Sequence, residues 1–186
     1  MPLPILETAR LVLRGFSLAD ANRVQHLAGS RDVASTTINL PHPYEDGVAE
    51  AWIQGHAGAW EDRARLTLAI TTARDGVVGA ISMQIVPDHR RGELGYWIGE
   101  PYWGQGFATE AAGAIVRYGF EMLGLHRIMA RHLSRNPASG KVLRKIGMIH
   151  EGTQRGHVIK AGTPEDLECY AILEDEWRMS GASPAA

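Results

Sequence analysis

The chain has a single cysteine, Cys169, so no intrachain disulfide can form. It lacks any run near the roughly 18 apolar residues of a membrane-spanning helix. The opening stretch, residues 1–7, has neither a basic start nor a long apolar segment, so no secretory signal is expected. A reducing, cytoplasmic setting is the expectation that follows. An excess of one charge is missing too: 19 basic against 21 acidic side chains give a net charge of −2. That leaves no strong field for nucleic acid or anionic lipid, and neither is expected as a partner. The 8 histidines form no His-Glu-x-x-His, and no Cys/His spacing suits a metal, so none is expected. Repeats, low-complexity blocks and linkers are absent. One domain is expected over residues 1–178, with residues 179–186 as a disordered tail.

What is present alternates between strand and helix signals. Residues 10–15 read as a strand with Leu11 and Leu13 on one face. Ser17, with Asp20 three residues on, resembles a capping box before a helix carrying Val24 and Leu27. Residues 36–44, which include Pro41, His42 and Pro43, read as loop. A second helix is expected from near Tyr44, with Val48, Ala51 and Trp52 on one side. Leu66, Leu68 and Ile70 alternate as in a half-buried strand. Asp75-Gly76 marks a hairpin turn, and Ile81, Met83 and Ile85 return. Residues 88–92 read as a turn and residues 93–98 as the next strand.

Ala108, Ala112, Ile115, Val116, Phe120 and Leu123 then recur at helical spacing. Residues 127–133 form another strand. Asn136 caps a further helix, with Pro137 first, Gly147 just past the end, and Val142, Leu143 and Ile146 buried. Residues 153–159 and 166–173 close the chain as a hairpin. The sum is a single α/β domain with a mixed, twisted sheet of about seven strands and about four helices.

The informative stretch is Trp103-Gly104-Gln105-Gly106-Phe107-Ala108-Thr109-Glu110, between a strand and a helix. The first amides of a helix have no intrahelical acceptor and lie at the positive end of its dipole, so they hold phosphate well. A plain tight turn is the structural alternative. The Lys-Ser/Thr ending of a P-loop is absent. The third glycine of a dinucleotide fingerprint is absent as well, because Thr109 stands in its place.

The stretch resembles the acetyl-CoA pyrophosphate loop of the GNAT superfamily of N-acetyltransferases. Gly106-Phe107-Ala108 matches the second half of that motif, while Trp103 replaces its first Arg or Gln. This departure, Glu93-Leu94-Gly95-Tyr96-Trp97-Ile98-Gly99 before the loop, and Asn136-Pro137-Ala138-Ser139 beyond it resemble the RimJ/RimL-like branch. The opening Thr8-Ala9-Arg10-Leu11-Val12-Leu13-Arg14 and the His42-Pro43 loop are similar to it too, so the likeness runs in order up to Trp177.

The resemblance implies a sheet splayed in the middle, with acetyl-CoA as co-substrate in the split and an amine entering from the opposite side. The amine is a peptide N-terminus or a small molecule. Tyr96, Trp97 and Ile98 would offer backbone groups to pantetheine as an open strand edge does; core packing is the alternative for the side chains of Tyr96 and Trp97. Gly104, Gln105, Gly106, Phe107, Ala108 and Thr109 would hold the pyrophosphate. Asn136 would hold pantetheine, alongside its role as helix cap. Lys141 is either near the coenzyme's phosphates or simply exposed.

Acetyl transfer needs an amine freed of its proton, a polarised carbonyl and a protonated leaving thiolate. It needs no nucleophile on the enzyme, so Cys169 is expected to be a packed small residue. The tyrosine acid of many relatives would fall at Leu143 and is missing. Ser139 is the substitute donor, or else a first-turn serine bonded to its own backbone. The base is Glu93 or His157. For Glu93 the alternative is a salt bridge to Arg91 or Arg131, and for His157 a structural role. His132 is a weaker third candidate. A non-catalytic acyl-CoA-binding domain on the same fold is the competing reading. A homodimer is compatible with an enzyme of this size.

Overall fold

A short antiparallel pair opens the structure, a computed structural model that describes residues 2–180. Strand β1 (Leu6–Glu7) pairs with β2 (Val12–Arg14) across a turn in which the Thr8 amide donates to the Leu11 carbonyl and the Thr8 hydroxyl accepts from the Leu11 amide. Asp20 then stops the chain from drifting. Its carboxylate accepts from the Ser17 amide and hydroxyl and from both Arg14 terminal nitrogens, as the expected capping pair requires. Helices α1 (Ala21–Ala28), α2 (Arg31–Thr36) and α3 (Val48–Glu61) follow. The six-residue α2 was not expected, because so short a segment cannot show helical periodicity. The start of α3 lies four residues later than expected, since Gly47 has φ +84° and closes a turn before the helix.

Strands β3 (Arg65–Thr72), β4 (Gly76–Val86) and β5 (Arg91–Ile98) form the expected meander. Helix α4 (Phe107–Glu121), β6 (Arg127–Leu133) and α5 (Pro137–Lys145) come next. Strands β7 (Ile149–Lys160) and β8 (Thr163–Leu173) make the final hairpin, and α6 (Glu174–Met179) caps it. The sheet has eight strands in the order β1-β2-β3-β4-β5-β6-β8-β7. The strand beyond the expected seven is the two-residue β1. Of the expected tail, residues 179–186, Met179 ends α6 and Ser180 is its C-cap; residues 181–186 lie outside the described residues.

Strand alternation sends apolar side chains to both faces. On one face Leu68, Ile81, Met83 and Ile128 pack under Ile115, Val116 and Phe120 of α4. On the other, Ala80 and Trp97 pack under Val24 and Leu27 of α1 and Ile53 of α3. Each buried Leu, Ile or Phe side chain contributes roughly 1.5–3 kcal/mol to this arrangement.

All neighbouring strands are antiparallel except β5 and β6, which α4 connects as a crossover. Their pairing runs only from Arg91↔Arg127 to Leu94↔Ala130. Beyond that, β5 stays with β4 as far as Gly79↔Ile98, and β6 stays with β8 as far as Leu133↔Leu167. The sheet therefore opens into a V after Leu94 and Ala130. The loop into α4 leaves the wide end of one arm, and the loop into α5 leaves the other.

Candidate active site

Glycine conformation shapes the first wall of the V. Gly104 has φ +74° and Gly106 φ +82°, values that strain any L side chain. With these two turns, the loop arrives at Phe107 with its amides outward. The backbone N–H groups of Gly104, Gln105, Gly106, Phe107, Ala108 and Thr109 have no acceptor among the described residues; the first helical bond is from the Glu110 amide to the Gly106 carbonyl, 3.1 Å. Gly104, Gln105 and Gly106 are exposed. A row of free donors at a helix N-terminus fits a pyrophosphate. The Phe107 side chain lies in the core, so this residue can offer only its amide. Likewise the Gln105 side chain donates to the Pro101 carbonyl, 3.2 Å, and braces the loop.

A second brace comes from the opposite end of the sequence. Glu110 accepts from the Thr8 hydroxyl at 2.7 Å, the Arg10 amide at 2.8 Å and Arg10 Nε at 2.7 Å. Arg10 Nη1 reaches the Gln105 carbonyl at 2.9 Å, and its guanidinium lies over the Phe107 ring. Burial works to raise the Glu110 pKa, but the bonds from Thr8 and Arg10 outweigh it and hold the carboxylate below its ordinary range. Thr8 and Arg10, part of the opening motif, thus hold the loop into α4. A hundred residues separate the partners, and only folding brings them together.

The arms of the V differ in what they present. The Gly99 amide donates to the Val78 carbonyl at 2.9 Å. By the two-residue alternation of an antiparallel ladder, Trp97 directs its backbone groups at β4, while Tyr96 and Ile98 direct theirs into the split. Of the three residues expected to pair with pantetheine, Tyr96 and Ile98 thus turn backbone groups towards the split, and Trp97 does not. Trp97 instead buries its side chain under α1 and α3. Trp103 supports this arm, its indole N–H donating to the Ile98 carbonyl at 2.7 Å.

On the other arm, Asn136 caps α5 through Oδ1, which accepts from the Ser139 amide at 3.3 Å, while Nδ2 donates to the Thr36 carbonyl at 3.1 Å. Leu143 is buried in the core, as an apolar residue at that position should be. A tyrosine comes from the opposite arm instead. The Tyr96 hydroxyl lies 2.8 Å from Ser139 Oγ, across the split. Burial pushes the Tyr96 pKa up to about 12, so its proton stays in place. No sequence spacing could reveal this contact.

The face away from α4 holds the candidate bases. Trp97 points to that face, so Glu93, four residues earlier on the same strand, does too. Arg131 of β6 joins them. Its Nε and Nη2 donate to Glu93 Oε1 at 2.9 and 2.8 Å, and its Nη1 lies 3.2 Å from His157 Nε2. His157 reaches the group from a bulge in β7, where pairing with β8 shifts register between Gln154 and Val158. Cys169 sits opposite Arg131 on β8, half-buried, with its thiol pKa raised by burial. Over this face the loop after α2 is held by Lys160, whose Nζ donates to the Leu40 carbonyl at 3.0 Å.

His132 is set apart, on the α4 side. It is buried, its Nδ1 bonds the Leu133 carbonyl at 2.9 Å, and its ring stacks on Tyr170. It has no path to the open face. Lys141 is exposed on α5. Among the described residues no three His, Cys, Asp or Glu side chains cluster to hold a metal, and no helix is long and apolar enough to cross a membrane.

Comparison with known proteins agrees with this geometry. Residues 10–149 match the acetyltransferase (GNAT) domain family. A Bacillus subtilis (strain 168) protein, named uncharacterized N-acetyltransferase YoaA, is 34% identical over 174 residues, which cover 92% of this chain and 97% of that one. A shorter stretch, 33% identical over 84 residues, matches an Escherichia coli (strain K12) [ribosomal protein uS5]-alanine N-acetyltransferase; it covers 45% of this chain and 43% of the relative. Among solved structures, a GNAT-family acetyltransferase from Bacillus anthracis superposes with a TM-score of 0.82 at 26% identity, covering 92% of this chain and 99% of that one. The chain therefore belongs to the GNAT family of acetyl-CoA-dependent acyltransferases.

Proposed function

We propose that the chain acetylates a primary amine, either a peptide N-terminus or a small-molecule amine, in the manner of the RimJ/RimL-like branch. One observation carries the reading: the V between β5 and β6 stands beside six free amides of the α4 loop. The coenzyme supplies an activated acetyl thioester. The loop amides hold its pyrophosphate, and the split-facing backbone of Ile98 and Tyr96 lines the pantetheine path. Asn136 has one amide hydrogen and one lone pair left for the same arm.

Glu93 serves as base. Three residues, about 10 Å of strand, separate it from Tyr96, so it takes the amine's proton through water. The amine then attacks the carbonyl carbon, the C–N bond forms, and the C–S bond breaks with its electron pair on sulfur. Ser139 donates its proton to that sulfur and regains one from solvent water, while the Tyr96 hydroxyl, 2.8 Å away, keeps its own proton and holds the serine in place. His157 is ill-placed as a base. Arg131 carries only donors, so His157 Nε2 must accept from it and cannot also take a proton. A single unpaired cysteine fits action in a reducing compartment such as the cytoplasm.

The name of the uS5-alanine relative supports trying a peptide N-terminus first. The test is an acceptor screen read by mass spectrometry, with Ala- and Ser-initiated peptides, polyamines and amino acids. A mass gain of one acetyl group on one class assigns the acceptor. Tight coenzyme binding with no product on any amine would overturn the reading in favour of a binding or sensor domain.

A further inference from the structure

The ion pair on the open face is asymmetric, and this asymmetry has chemical content. Glu93 receives both Arg131 bonds on one oxygen, Oε1, at 2.8 and 2.9 Å. Its Oε2 accepts no hydrogen bond among the described residues. A purely structural fork pairs both oxygens with two nitrogens, as Arg14 does with Asp20. At Arg131 the second terminal nitrogen turns to His157 instead. One guanidinium thus restrains Glu93, leaves one carboxylate oxygen open, and occupies the imidazole nitrogen nearest to it. The pair is half-buried, with side-chain exposures of 25% for Arg131 and 32% for Glu93. Water still reaches it, but both side chains are confined. Arg131 itself is anchored within β6, where its backbone pairs opposite Cys169 of β8.

We infer that Arg131 is a positioning residue for acetyl transfer: it aims the free oxygen of Glu93 into the acceptor groove and holds His157 as the Nδ1–H tautomer, leaving one base. This rests on the acetyl-transfer reading above. The proton leaving the amine goes through water to Glu93 Oε2, while Arg131 keeps all its protons. Lysine cannot replace it fully, because an ammonium cannot donate to Glu93 along the direction of Nε and to His157 at the same time.

A double-mutant cycle tests the inference. Steady-state rates would be measured for wild type, Glu93→Gln, Arg131→Gln, Arg131→Lys and the Glu93→Gln/Arg131→Gln double variant, with thermal melts as a folding control. Arg131→Gln is expected to lower kcat about tenfold or more while the KM for acetyl-CoA stays within about twofold. The double variant should lose no more than Glu93→Gln alone, since Arg131 acts through Glu93. Arg131→Lys should recover part of the rate. An independent arm reads the ¹⁵N signals of His157: a single Nδ1–H tautomer in wild type, mixed tautomers in Arg131→Gln. Losses that multiply in the double variant, or a His157 tautomer indifferent to Arg131→Gln, would overturn the inference alone. A wild type that binds acetyl-CoA yet turns over no amine would overturn the acetyl-transfer reading beneath it.

Discussion

Ser139 and Tyr96 show how little a residue's type says before its neighbours are known. A serine in the first turn of a helix is ordinarily bonded to its own backbone. Here its hydroxyl meets a partly buried tyrosine from another strand at 2.8 Å. Ser139→Ala should lower kcat about tenfold to a hundredfold with little change in the KM for acetyl-CoA, because only the leaving thiolate loses its donor. Tyr96→Phe should cost less, since the serine keeps its own proton. Steady-state kinetics on the acceptor found by screening would check both; a KM effect without a kcat effect would argue that the pair only holds the coenzyme. His157→Ala should leave kcat within a few-fold of wild type, in contrast to Glu93→Gln. Equal losses for the two would return His157 to the list of bases.

At the scale of elements, the loop into α4 and the helix α3 carry opposite kinds of constraint. The loop is held open by two positive-φ glycines. Gly106→Val forces a branched side chain into φ +82°, and a Cβ there would sit 3.3 Å from Arg10 Nη2. Calorimetric titration should show coenzyme affinity falling at least about tenfold, because the amide row tilts away from the phosphate path. Undiminished affinity would count against the loop.

In α3 the constraint is burial. His56 is wedged against Phe16 and Trp52, and neither of its ring nitrogens has a hydrogen-bond partner among the described residues. Burial, with a lesser push from the Arg65 charge, lowers its pKa to about 4 from 6.5. The folded state thus binds this proton less readily than the unfolded chain. Stability from this site is full above about pH 6.5 and is lost as pH falls towards 4, at up to about 1.4 kcal/mol per pH unit. Urea midpoints from pH 7.5 to 4.5 should fall less steeply for His56→Phe than for wild type. Parallel slopes would mean that the acid sensitivity lies elsewhere.

For the whole molecule, two helices and two strands must arrive at one place, and ligand binding should be felt globally. Coenzyme at 100 times its dissociation constant should stabilise the fold by about 2.7 kcal/mol. Thermal melts should rise with CoA and acetyl-CoA and much less with ATP at the same concentration. ATP has phosphates for the loop amides but no pantetheine for the split. An equal shift from ATP would favour a nucleotide site. The strand plan was largely legible in advance, because Leu66, Leu68 and Ile70 and then Ile81 and Met83 alternate and all are buried; that β3 buries Thr67, Ala69 and Thr71 on its other face as well, instead of being half-buried, was not. Helix α4 was legible from its 15-residue periodic face, whereas α2, six residues long, was not.

What the chain's order of residues determined by itself is therefore local: the strands and their faces, the glycine-opened loop, the Asn136 cap, and a family likeness strong enough to imply the coenzyme. Those features depend on residues a few positions apart, where spacing and geometry are linked directly. Tertiary structure alone decided the rest. It stopped the β5–β6 pairing at Leu94 and Ala130, turned Trp97 away from the split, and set Tyr96 against Ser139. It also drew Glu93, Arg131 and His157 into one group from three strands, and tied Arg10 to a loop near residue 105. Such contacts arise where the sheet's register and the crossover bring distant segments together, and no spacing along the sequence encodes them.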